Sequence, residues 1–561
     1  MKNMTFSRYA PFIREYIYRK GWTDLREVQI KACEAILDTD KHVIIASGTA
    51  SGKTEAAFFP VLTVLENEVS NSIGVLYIGP LKALINDQFQ RLNELLRDCD
   101  INVWPWHGDI VGSKKERAIR DASGVMQITP ESLESLLMRR TNDVKKLFND
   151  LKFVVIDEIH VFMGEDRGLQ LLCLLKRLEQ IANCSPRRIG LSATLHDYES
   201  AKAFLSAGTE REVIAVGVEG CNRRAIIGVE CYKFPEDIGE RDQTLNLYNQ
   251  FLYTQCYDKK CLTFTNSRSE AEMFVYDMKN IAQTRKEPDV FYAHHGSVTS
   301  LLRERAEQKM KSASGPIVTA ATKTLELGVD IGDLDLIIQL GAPNTCSSFV
   351  QRLGRSGRRS GRSKMLFVES FSEHCDKPLE CIPWELLQTI AIIQLYREEK
   401  WIEPFEVKEK PYSLLVHQTL ALLMQNGATK PSNLGRMVLS LPPFQNKITV
   451  REYGKILKYM LKINMLEKLD DGYLIIGNAG EQVCNHYSFY AIFPDKEEYR
   501  VISKDGLIGS IDEVPNVGEN FALAGEIWRV IEINCFKKTI SVVAGTGRGM
   551  GYWKGGGGTR K

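Results

Sequence analysis

One segment of the chain has the residue types and spacing for phosphate binding. The apolar run HVIIA leads into Gly48-Thr49-Ala50-Ser51-Gly52-Lys53-Thr54, and a helical pattern follows at once. Backbone N–H groups in such a loop point inward at the positive end of a helix dipole. The spacing predicts a P-loop in which Lys53 reaches the β- and γ-phosphates and Thr54 ligates Mg²⁺. The strict pattern has glycine where Ser47 stands, and a chance Gly-Lys-Thr between a strand and a helix is the alternative.

A second apolar run ends in two carboxylates. Phe153–Ile156 is followed directly by Asp157 and Glu158. Buried parallel strands carry such side chains to the sheet edge where ligands of α/β proteins bind. Asp157 is therefore predicted to hold Mg²⁺ through its water shell, and Glu158 to orient and deprotonate an attacking water. Alone, such a pair more often opens a helix, but together with a P-loop it favours nucleoside triphosphate hydrolysis.

A glycine-spaced group of basic residues lies in the second half of the chain. The segment QRLGRSGR spaces Gln351, Arg355 and Arg358 at i, i+4 and i+7, which predicts one helical face. Gly354 and Gly357 would each cost such a helix about 1 kcal/mol relative to alanine, which suggests close approach of another backbone. Guanidiniums that face a γ-phosphate act as arginine fingers and raise the rate by about 10³-fold or more. A solvated basic helix is the alternative.

These residues need a scaffold of parallel strands. From about residue 42 to 216, short β-branched runs alternate with helical segments, and after a looser stretch around 217–240 the alternation restarts and ends near 370. Strands of this kind, separated by helices, predict parallel sheets covered on both faces. The sequence thus predicts two α/β lobes, residues 1–216 for ATP binding and residues 217–372.

The alternation stops after residue 372. A capping box at Thr449 and Glu452 opens an amphipathic helix, and LEKLDDGYLIIG then reads as two strands around an Asp-Gly turn. This order predicts a linker plus winged helix over 373–477. Strand-like pieces predict a small, incomplete β-barrel-like segment over 478–561, and its glycine-rich tail is not expected to form a regular core.

Composition and charge exclude several classes of protein. The 561 residues predict three or four domains at about 150 residues each. Seventy-two Lys and Arg against 71 Asp and Glu leave a net charge of +1, which excludes a basic-tail protein and an acidic disordered chain. No apolar run is long enough for a membrane span, and the N-terminus lacks a signal-peptide core, so we expect a cytoplasmic protein. Thirteen cysteines without a C-x-x-C pair predict no cysteine-bound metal.

Eleven short motifs occur in an order that resembles the superfamily 2 DExH helicases, and specifically the Lhr (large helicase-related) family. They are LREVQ, SGTASGKTEAA, PLKALINDQ, WHGD, TPESLE, DEIH, SAT, TFTNSR, HHGS, TKTLELGVDIG and QRLGRSGRR. The match is dense over residues 20–365 and looser through FALAGEIWRVIEIN to GYWKGG. The resemblance implies two tandem RecA-like lobes, then a winged helix and a β-barrel-like domain. Such helicases usually carry alanine where Ser47 stands, and family members continue further, so the chain is expected to be C-terminally short.

The resemblance also implies roles for single residues. Gln29 would pair with adenine, and Asp330 lies where these helicases connect strand contacts to the ATP ribose and phosphate. His160 would couple hydrolysis to the SAT motif at Ser192 and Thr194. Residues expected to contact the nucleic acid are Lys82, Thr129, Ser267, Arg268, Thr322 and, by stacking, Trp528. Each capping-type residue is by itself more often plain helix capping, and a core position is an equal alternative for Trp528.

The implied function is a nucleic-acid-stimulated ATPase that uses ATP and Mg²⁺. It would move 3′→5′ on single-stranded DNA, unwind DNA or RNA:DNA duplexes ahead of it, and take part in DNA repair. DNA is favoured over RNA, a monomer is expected, and a protein partner is expected at the C-terminal region. The alternative is an ATP-gated clamp, or a subunit of a larger complex, that does not unwind on its own.

Overall fold

The structure is a computed structural model that describes most of the chain. The described residues are 2–48, 52–97, 99–193, 195, 197–217, 224–313, 315–329, 331–357, 362–373, 382–406, 408–491, 498–535 and 537–545. They fall into two units that are discontinuous in sequence. The first combines residues 1–219 with 404–494, and the second combines 220–403 with 495–561. The fourfold division along the sequence stays a prediction.

Strands and helices alternate through the first α/β lobe. Its strands are β1 (His42–Ala46), β2 (Ile73–Ile78), β3 (Val103–Trp106), β4 (Gly124–Ile128), β5 (Phe153–Ile156), β6 (Arg187–Ser192) and β7 (Val213–Gly217). Its helices are α1 (Lys2–Arg8), α2 (Pro11–Arg19), α3 (Glu27–Leu37), α4 (Lys53–Asn67), α5 (Lys82–Leu95), α6 (Gly112–Arg120), α7 (Pro130–Arg139), α8 (Thr141–Phe148), α9 (Asp166–Ala182) and α10 (Tyr198–Ser206).

The first sheet brings the predicted chemistry to one edge. The described strands pair in parallel in the order β3-β4-β2-β5-β6-β1-β7. Strands β1, β2 and β5 are buried along their whole length, which explains why they appear in the sequence as unbroken apolar runs. Their carboxyl ends lead to the P-loop segment and to the paired carboxylates.

The second lobe repeats the parallel architecture. Its strands are β8 (Arg224–Phe234), β9 (Lys260–Phe264), β10 (Phe291–His294), β11 (Ile317–Ala321), β12 (Leu336–Leu340) and β13 (Arg362–Ser372). Its helices are α11 (Ile238–Cys256), α12 (Arg268–Arg285), α13 (Ser300–Ser312), α14 (Cys346–Leu353) and α15 (Trp384–Glu399). The described strands pair in parallel in the order β10-β11-β9-β12-β13-β8, which confirms the predicted α/β class with two lobes.

Two local predictions for this lobe are wrong. The stretch 217–240, expected to be loose, contains β8, an edge strand that pairs along its whole length with β13. Gln351 and Arg355 do not share a helical face, because α14 ends at Leu353 and Arg355 lies in the turn that follows. The expected close backbone approach does occur at Gly357, where φ is +70° and an added Cβ would lie 2.4 Å from the Arg362 carbonyl oxygen.

The predicted helices and hairpin after the second lobe are present in the first unit. They are α16 (Tyr412–Asn426), α17 (Pro431–Leu439), α18 (Val450–Lys462), the antiparallel pair β14 (Leu466–Lys468) and β15 (Leu474–Ile476), and α19 (Asn478–Asn485). The order is the one predicted for a winged helix. The capping box of Thr449 and Glu452 is formed. The apolar side chains of these elements share one cluster with Met138 and Cys173 of the first lobe.

A five-stranded sheet completes the second unit. Its strands are β16 (Tyr499–Ser503), β17 (Gly506–Ile511), β18 (Asn520–Leu523), β19 (Glu526–Asn534) and β20 (Thr539–Ala544). They form a curled half-barrel in the order β17-β16-β20-β19-β18. The buried carboxylate of Glu272 on α12 holds it to the lobe, because it accepts hydrogen bonds from the N–H groups of Ala524 and Gly525, each at 2.6 Å. The rest of the glycine-rich tail, 546–561, lies outside the described residues.

Among the described residues, no helix combines the length and apolar character needed to span a membrane.

Candidate nucleotide-binding site

The P-loop segment joins β1 to α4. The ammonium of Lys53, the first residue of α4, donates a hydrogen bond to the Ser47 carbonyl oxygen at 2.8 Å. Gly52 has φ +84°, and a Cβ there would lie 2.9 Å from Nε2 of Gln29. Both the backbone conformation and the neighbouring amide therefore require glycine at this position. Three predicted phosphate-binding residues, Thr49, Ala50 and Ser51, lie outside the described residues.

Two amide side chains stand beside this loop. The buried Gln29 accepts a hydrogen bond from the Arg26 backbone N–H at 2.9 Å through Oε1, which leaves its Nε2 directed at Gly52. Gln88 on α5 donates to the Thr54 hydroxyl at 3.4 Å. The structure thus places Gln29 at the P-loop, as its predicted role requires, whereas adenine pairing stays a prediction. Gln88 was missed by the sequence reasoning.

The carboxylate of Asp157 follows β5 and is almost fully buried. It accepts hydrogen bonds from the Tyr77 hydroxyl at 2.5 Å and from the Glu158 backbone N–H at 2.9 Å. Burial, and next the neighbouring charge of Glu158, raise the pKa of Asp157 to about 6, although the Tyr77 hydrogen bond and the charge of Lys53 oppose the rise. Lys53 and Asp157 therefore act on each other electrostatically. Tyr77, buried within β2, was also missed, since nothing in its strand distinguishes it from a core residue.

The second carboxylate is held differently. Glu158 has φ +47°, which is uncommon for a residue with a side chain, and it is 7% exposed. Its Oε2 is buried, and among the described residues no donor is hydrogen-bonded to it. Nδ1 of His160 lies 3.5 Å from this Oε2, and that nitrogen lies 2.9 Å from the Ser192 hydroxyl. The predicted chain from hydrolysis site to SAT motif is thus physically continuous as far as Ser192, while Thr194 lies outside the described residues.

The site has oxygen ligands that suit a hard cation. Carboxylate and hydroxyl oxygens are what Mg²⁺ prefers, and Asp157 and Thr54 supply one of each beside the P-loop. Within the described parts of the chain, no three His, Cys, Asp or Glu side chains group into a self-contained metal site. The carboxylate of Asp157 and the hydroxyl of Thr54 fit an Mg²⁺ ion whose remaining ligands would be nucleotide phosphates and water.

The predicted arginine residues belong to the second unit. Arg355 is buried and donates to the carbonyl oxygens of Glu326 at 2.7 Å and Val329 at 3.0 Å. Gln351 is buried and donates to the Ser347 hydroxyl at 3.3 Å. Arg355 is thus bound to the segment TKTLELGVD of its own lobe. Both Arg358 and Asp330 lie outside the described residues.

Arg352 was not singled out by the sequence reasoning, although it lies inside the same motif. Its guanidinium donates to the Glu326 carboxylate at 2.8 Å and lies 4.8 Å from the centre of the Phe264 ring. Since Arg352 is also buried, it ties α14 to the TKTLELGVD segment. A single basic residue among several in QRLGRSGR gave no signal for this role.

Three predicted strand-binding residues of the second unit have intramolecular partners. Ser267 caps α12 by accepting from the Glu270 backbone N–H at 3.1 Å. Arg268 forms an ion pair with Glu498 of the half-barrel segment at 2.8 Å. The Trp528 indole N–H donates to the Leu523 carbonyl at 2.9 Å, and its half-buried ring packs on the half-barrel core. The structure thus supplies the plain capping and packing alternatives, and nucleic-acid contact by these residues stays a prediction.

The other strand-binding candidates are distributed over both units. Lys82 donates to Asp109 at 2.8 Å, and Thr129 caps α7 by accepting from the Ser132 backbone N–H at 3.3 Å. Thr322 directly precedes a short 3₁₀ turn and makes no side-chain cap. Lys82 and Asp109 stand in the PLKALINDQ and WHGD motifs, so the structure joins two motifs that the sequence separates.

Two family models match the lobes that carry these residues. Residues 26–202 match the DEAD/DEAH box helicase family, and residues 243–360 match the helicase conserved C-terminal domain. The two parallel-sheet lobes, with the P-loop and DEIH residues at one edge of the first, define a superfamily 2 helicase core.

Similar proteins narrow this class. An ATP-dependent helicase Lhr-Core of Methanothermobacter thermautotrophicus is 32% identical over 378 residues, which cover 62% of this chain and 42% of the relative. An Lhr-Core protein 2 of Thermococcus barophilus is 26% identical over 539 residues, covering 88% and 59%. The Mycobacterium smegmatis helicase Lhr, solved with single-stranded DNA and AMP-PNP, shares the fold with a TM-score of 0.72 at 24% identity, covering 88% of this chain and 64% of that one. Both lobes are thus of the superfamily 2 helicase type, and the chain is similar to helicases of the Lhr family. It spans only about half the length of the curated relatives it matches.

Proposed function

We propose that the chain is an ATP-hydrolysing motor that moves along single-stranded nucleic acid and unwinds the duplex ahead. The observation that carries the proposal is the Glu158 carboxylate, whose buried Oε2 has no hydrogen-bond donor among the described residues while Asp157 and Lys53 stand beside it. A buried, unsatisfied acceptor costs free energy, so a native site that keeps one needs a reason. A water molecule positioned for attack on the γ-phosphate is that reason.

The residues divide the chemistry between them. Lys53, which rests on the Ser47 carbonyl, would move its ammonium to the β- and γ-phosphates. Thr54 and Asp157 would hold Mg²⁺, which supplies charge neutralisation on the phosphate oxygens when bound. Glu158 would orient water and take its proton at Oε2. His160 is hydrogen-bonded to Ser192, so a movement of the Glu158 side chain during hydrolysis would be transmitted through His160 to the SAT motif.

The finer features of the function rest on the family resemblance. We propose 3′→5′ movement on DNA, action on DNA and RNA:DNA duplexes, a role in DNA repair, and a monomer working in the cytoplasm with a protein partner at its C-terminal region.

Arg355 and Arg358 are proposed as arginine fingers. The proposed strand contacts are Lys82, Thr129, Ser267, Arg268, Thr322 and Trp528. The relatives named as ATP-dependent helicases and the neighbour solved with single-stranded DNA support ATP-dependent action on a single strand.

ATPase measurements with single-stranded DNA test the site. We expect Glu158→Gln to lower stimulated turnover by about 10²- to 10⁴-fold, the usual contribution of a positioned base. Lys53→Ala should also abolish stimulated turnover, because it removes the cation proposed to hold the β- and γ-phosphates. Glu158→Gln should leave ATP and strand binding intact, because it keeps the side-chain shape. Glu165→Gln, at an exposed position nearby, is the matched control for the charge change. Wild-type turnover in both site variants would contradict the assignment.

Unwinding is tested on substrates that differ in tail and backbone. Displacement on 3′-tailed and not on 5′-tailed duplexes is the expected result, measured in parallel on DNA, RNA and hybrid duplexes. ATP hydrolysis without displacement on any of them would favour the ATP-gated clamp instead.

A further inference from the structure

Helix α18 has two faces of opposite character. It has 13 residues, Val450–Lys462, and begins at the Thr449 capping box. Tyr453, Leu457 and Met460 are buried in the apolar cluster of the first unit. Those three positions recur at i, i+4 and i+7, so they form one stripe along the helix. The packing of α18 therefore leaves the opposite face outward.

The outward face is uniformly basic. Arg451, Lys455, Lys458 and Lys462 are all exposed, and we refer to them as the basic stripe. At 3.6 residues per turn they lie within about 60° of one another and directly opposite the buried face. The exposed aromatic ring of Tyr459 borders them. The four cations thus form a single row about 16 Å long.

The basic stripe lacks the internal partners that other lysines of this chain have. The exposed Lys31 and the half-buried Lys202, for example, are ion-paired, at 2.8 Å to Glu27 and 2.6 Å to Glu199. In the described regions, no side chain of the stripe takes part in a hydrogen bond or an ion pair. The single acid within α18, Glu452, is engaged at the first turn by Lys410 at 2.7 Å and by the Thr449 backbone N–H at 2.8 Å. Four like charges along one row repel one another unless an external anion neutralises them.

The neighbouring hairpin does not extend this positive surface. Between β14 and β15 the chain carries exposed Asp470 together with Asp471, and β14 carries exposed Glu467 beside exposed Lys468. Three acids and one base leave the hairpin with net negative charge, so the row of cations on the helix is rod-shaped and does not continue onto the hairpin. A rod-shaped row of cations matches a linear polyanion.

We propose that the basic stripe binds duplex DNA through its phosphates. The major groove of B-DNA, about 12 Å wide, admits an α-helix, whereas the major groove of A-form RNA is too narrow for one. Duplex DNA carries about one negative charge per 1.7 Å of its axis, so the row meets phosphates along its whole length. Contacts of Lys and Arg to phosphates fix position without sequence preference. This proposal rests on the proposed function, because the duplex bound by the basic stripe would be the one that the motor unwinds.

The test measures binding of a blunt DNA duplex as a function of salt. The variant carries Arg451→Gln, Lys455→Gln, Lys458→Gln and Lys462→Gln in the full chain. Each phosphate contact adds about 0.9 to the slope of log affinity against log salt, so the slope should fall by up to about 3.6. Raising the salt concentration from about 50 to about 200 mM should then lower the duplex affinity of the wild-type protein about 150-fold more than that of the variant. At the lower salt, affinity should fall at least about tenfold.

The matched control removes the same charge from paired lysines. Its substitutions are Lys31→Gln, Lys41→Gln, Lys202→Gln and Lys233→Gln, each at a lysine that is ion-paired. We expect the control to keep the wild-type slope. Should the fourfold stripe variant lose its fold by circular dichroism, Lys455→Gln/Lys458→Gln provides the same test with half the change in slope.

Several outcomes would overturn the proposal. They are an unchanged slope in the stripe variant, an equal loss in the control, or a larger loss of binding to RNA duplex or to anionic lipid vesicles than to DNA duplex. Single-strand-stimulated ATPase is measured alongside and should be normal in the stripe variant. Absence of ATPase in the wild-type protein would count against the proposed function only, because duplex binding is read independently of hydrolysis.

Discussion

A buried ion pair in the first lobe is hydrogen-bonded to helix α16, and this network allows a sharp prediction about stability. Arg177 on α9 and Glu134 on α7 are paired with both side chains fully buried. Helix α16 completes the network, since Gln418 donates to Glu134 at 2.9 Å and accepts from Arg177 at 3.0 Å, and Gln425 accepts from Arg177 at 3.0 Å. Gln170 also donates to Glu134 at 3.0 Å.

Arg177→Met should loosen α16 from the lobe. The substitution leaves the Glu134 carboxylate buried with amide donors only, and removal of one partner from such a pair costs about 3–5 kcal/mol. Native-state hydrogen exchange of the α16 amides is the suitable assay, because a chain of several domains does not unfold in one step. The cost corresponds to faster exchange by about 10²- to nearly 10⁴-fold.

The pH dependence has a definite sign. Burial tends to raise the pKa of Glu134, but the charge of Arg177 and the hydrogen bonds outweigh it, and the net pKa is lowered. A lowered carboxyl pKa contributes stability that is present above the unfolded value and lost as pH falls. Without Arg177 the pKa rises, so Glu134 is protonated more easily in acid. The difference in α16 exchange rate between Arg177→Met and the wild-type protein should therefore shrink as pH falls.

Two further variants make this reasoning refutable. Glu134→Leu combined with Arg177→Met removes both charges, and replacement of a buried pair by apolar residues is often neutral, so exchange should return towards the wild-type rate. Lys176→Gln, which loses only the bond to the Gly208 carbonyl at 3.0 Å, is the control on the same helix. Wild-type exchange in Arg177→Met, or no recovery in the double variant, would show that the pair does not hold α16.

Two predictions concern buried carboxylates of the second unit. Burial raises the pKa of Glu369 to about 7 from 4.5, so the folded state loses about 3 kcal/mol of stability as pH rises across that window. Glu369→Gln should remove this loss in thermal unfolding midpoints measured from pH 5 to pH 8, and an equal pH slope in the variant would contradict it. Glu272→Gln should release the half-barrel, because an amide presents N–H where Ala524 or Gly525 needs an acceptor, at a cost of about 1–3 kcal/mol. Proteases should cleave the half-barrel faster in Glu272→Gln than in Glu270→Gln or in the wild-type protein. Equal cleavage rates in all three proteins would show that Glu272 does not hold the half-barrel.

The sequence was most informative where burial is complete on both faces. Strands β1, β2 and β5 appear as uninterrupted apolar runs because helices cover both sides, and the predicted positions hold within a residue or two. Strand β8 escaped because it lies at the sheet edge and leaves Ile226 and Val229 exposed, so its pattern lacks a continuous apolar run. The helical face predicted for Arg355 is wrong because the helix ends at Leu353, before Gly354. The regular spacing of the basic residues therefore did not reflect a continuous helix.

Contacts between distant segments lay beyond such reasoning. Glu272 and Gly525 are separated by 253 residues, and Arg177 and Gln418 by 241. Glu272, Arg177 and Gln418 each look like an ordinary polar residue on a helix until the partner elements are placed. The candidate site was predictable because its residues directly follow the apolar strands β1 and β5, whereas Tyr77 acts from within the neighbouring strand β2 and left no pattern.

The one departure from the strict P-loop pattern has a backbone explanation. Ser47 stands where the pattern has glycine, yet it is not among the described residues with positive φ, so the position does not require glycine's conformational freedom. Its N–H donates to the Ser192 carbonyl at 3.1 Å, and its own carbonyl accepts from Lys53 at 2.8 Å. Both bonds use the backbone, which a small side chain leaves unchanged. Ser47 thus connects Lys53 to the SAT motif through its two adjacent peptide groups, so movement of Lys53 onto a nucleotide would release the Ser47 carbonyl oxygen next to the N–H that is bonded to Ser192.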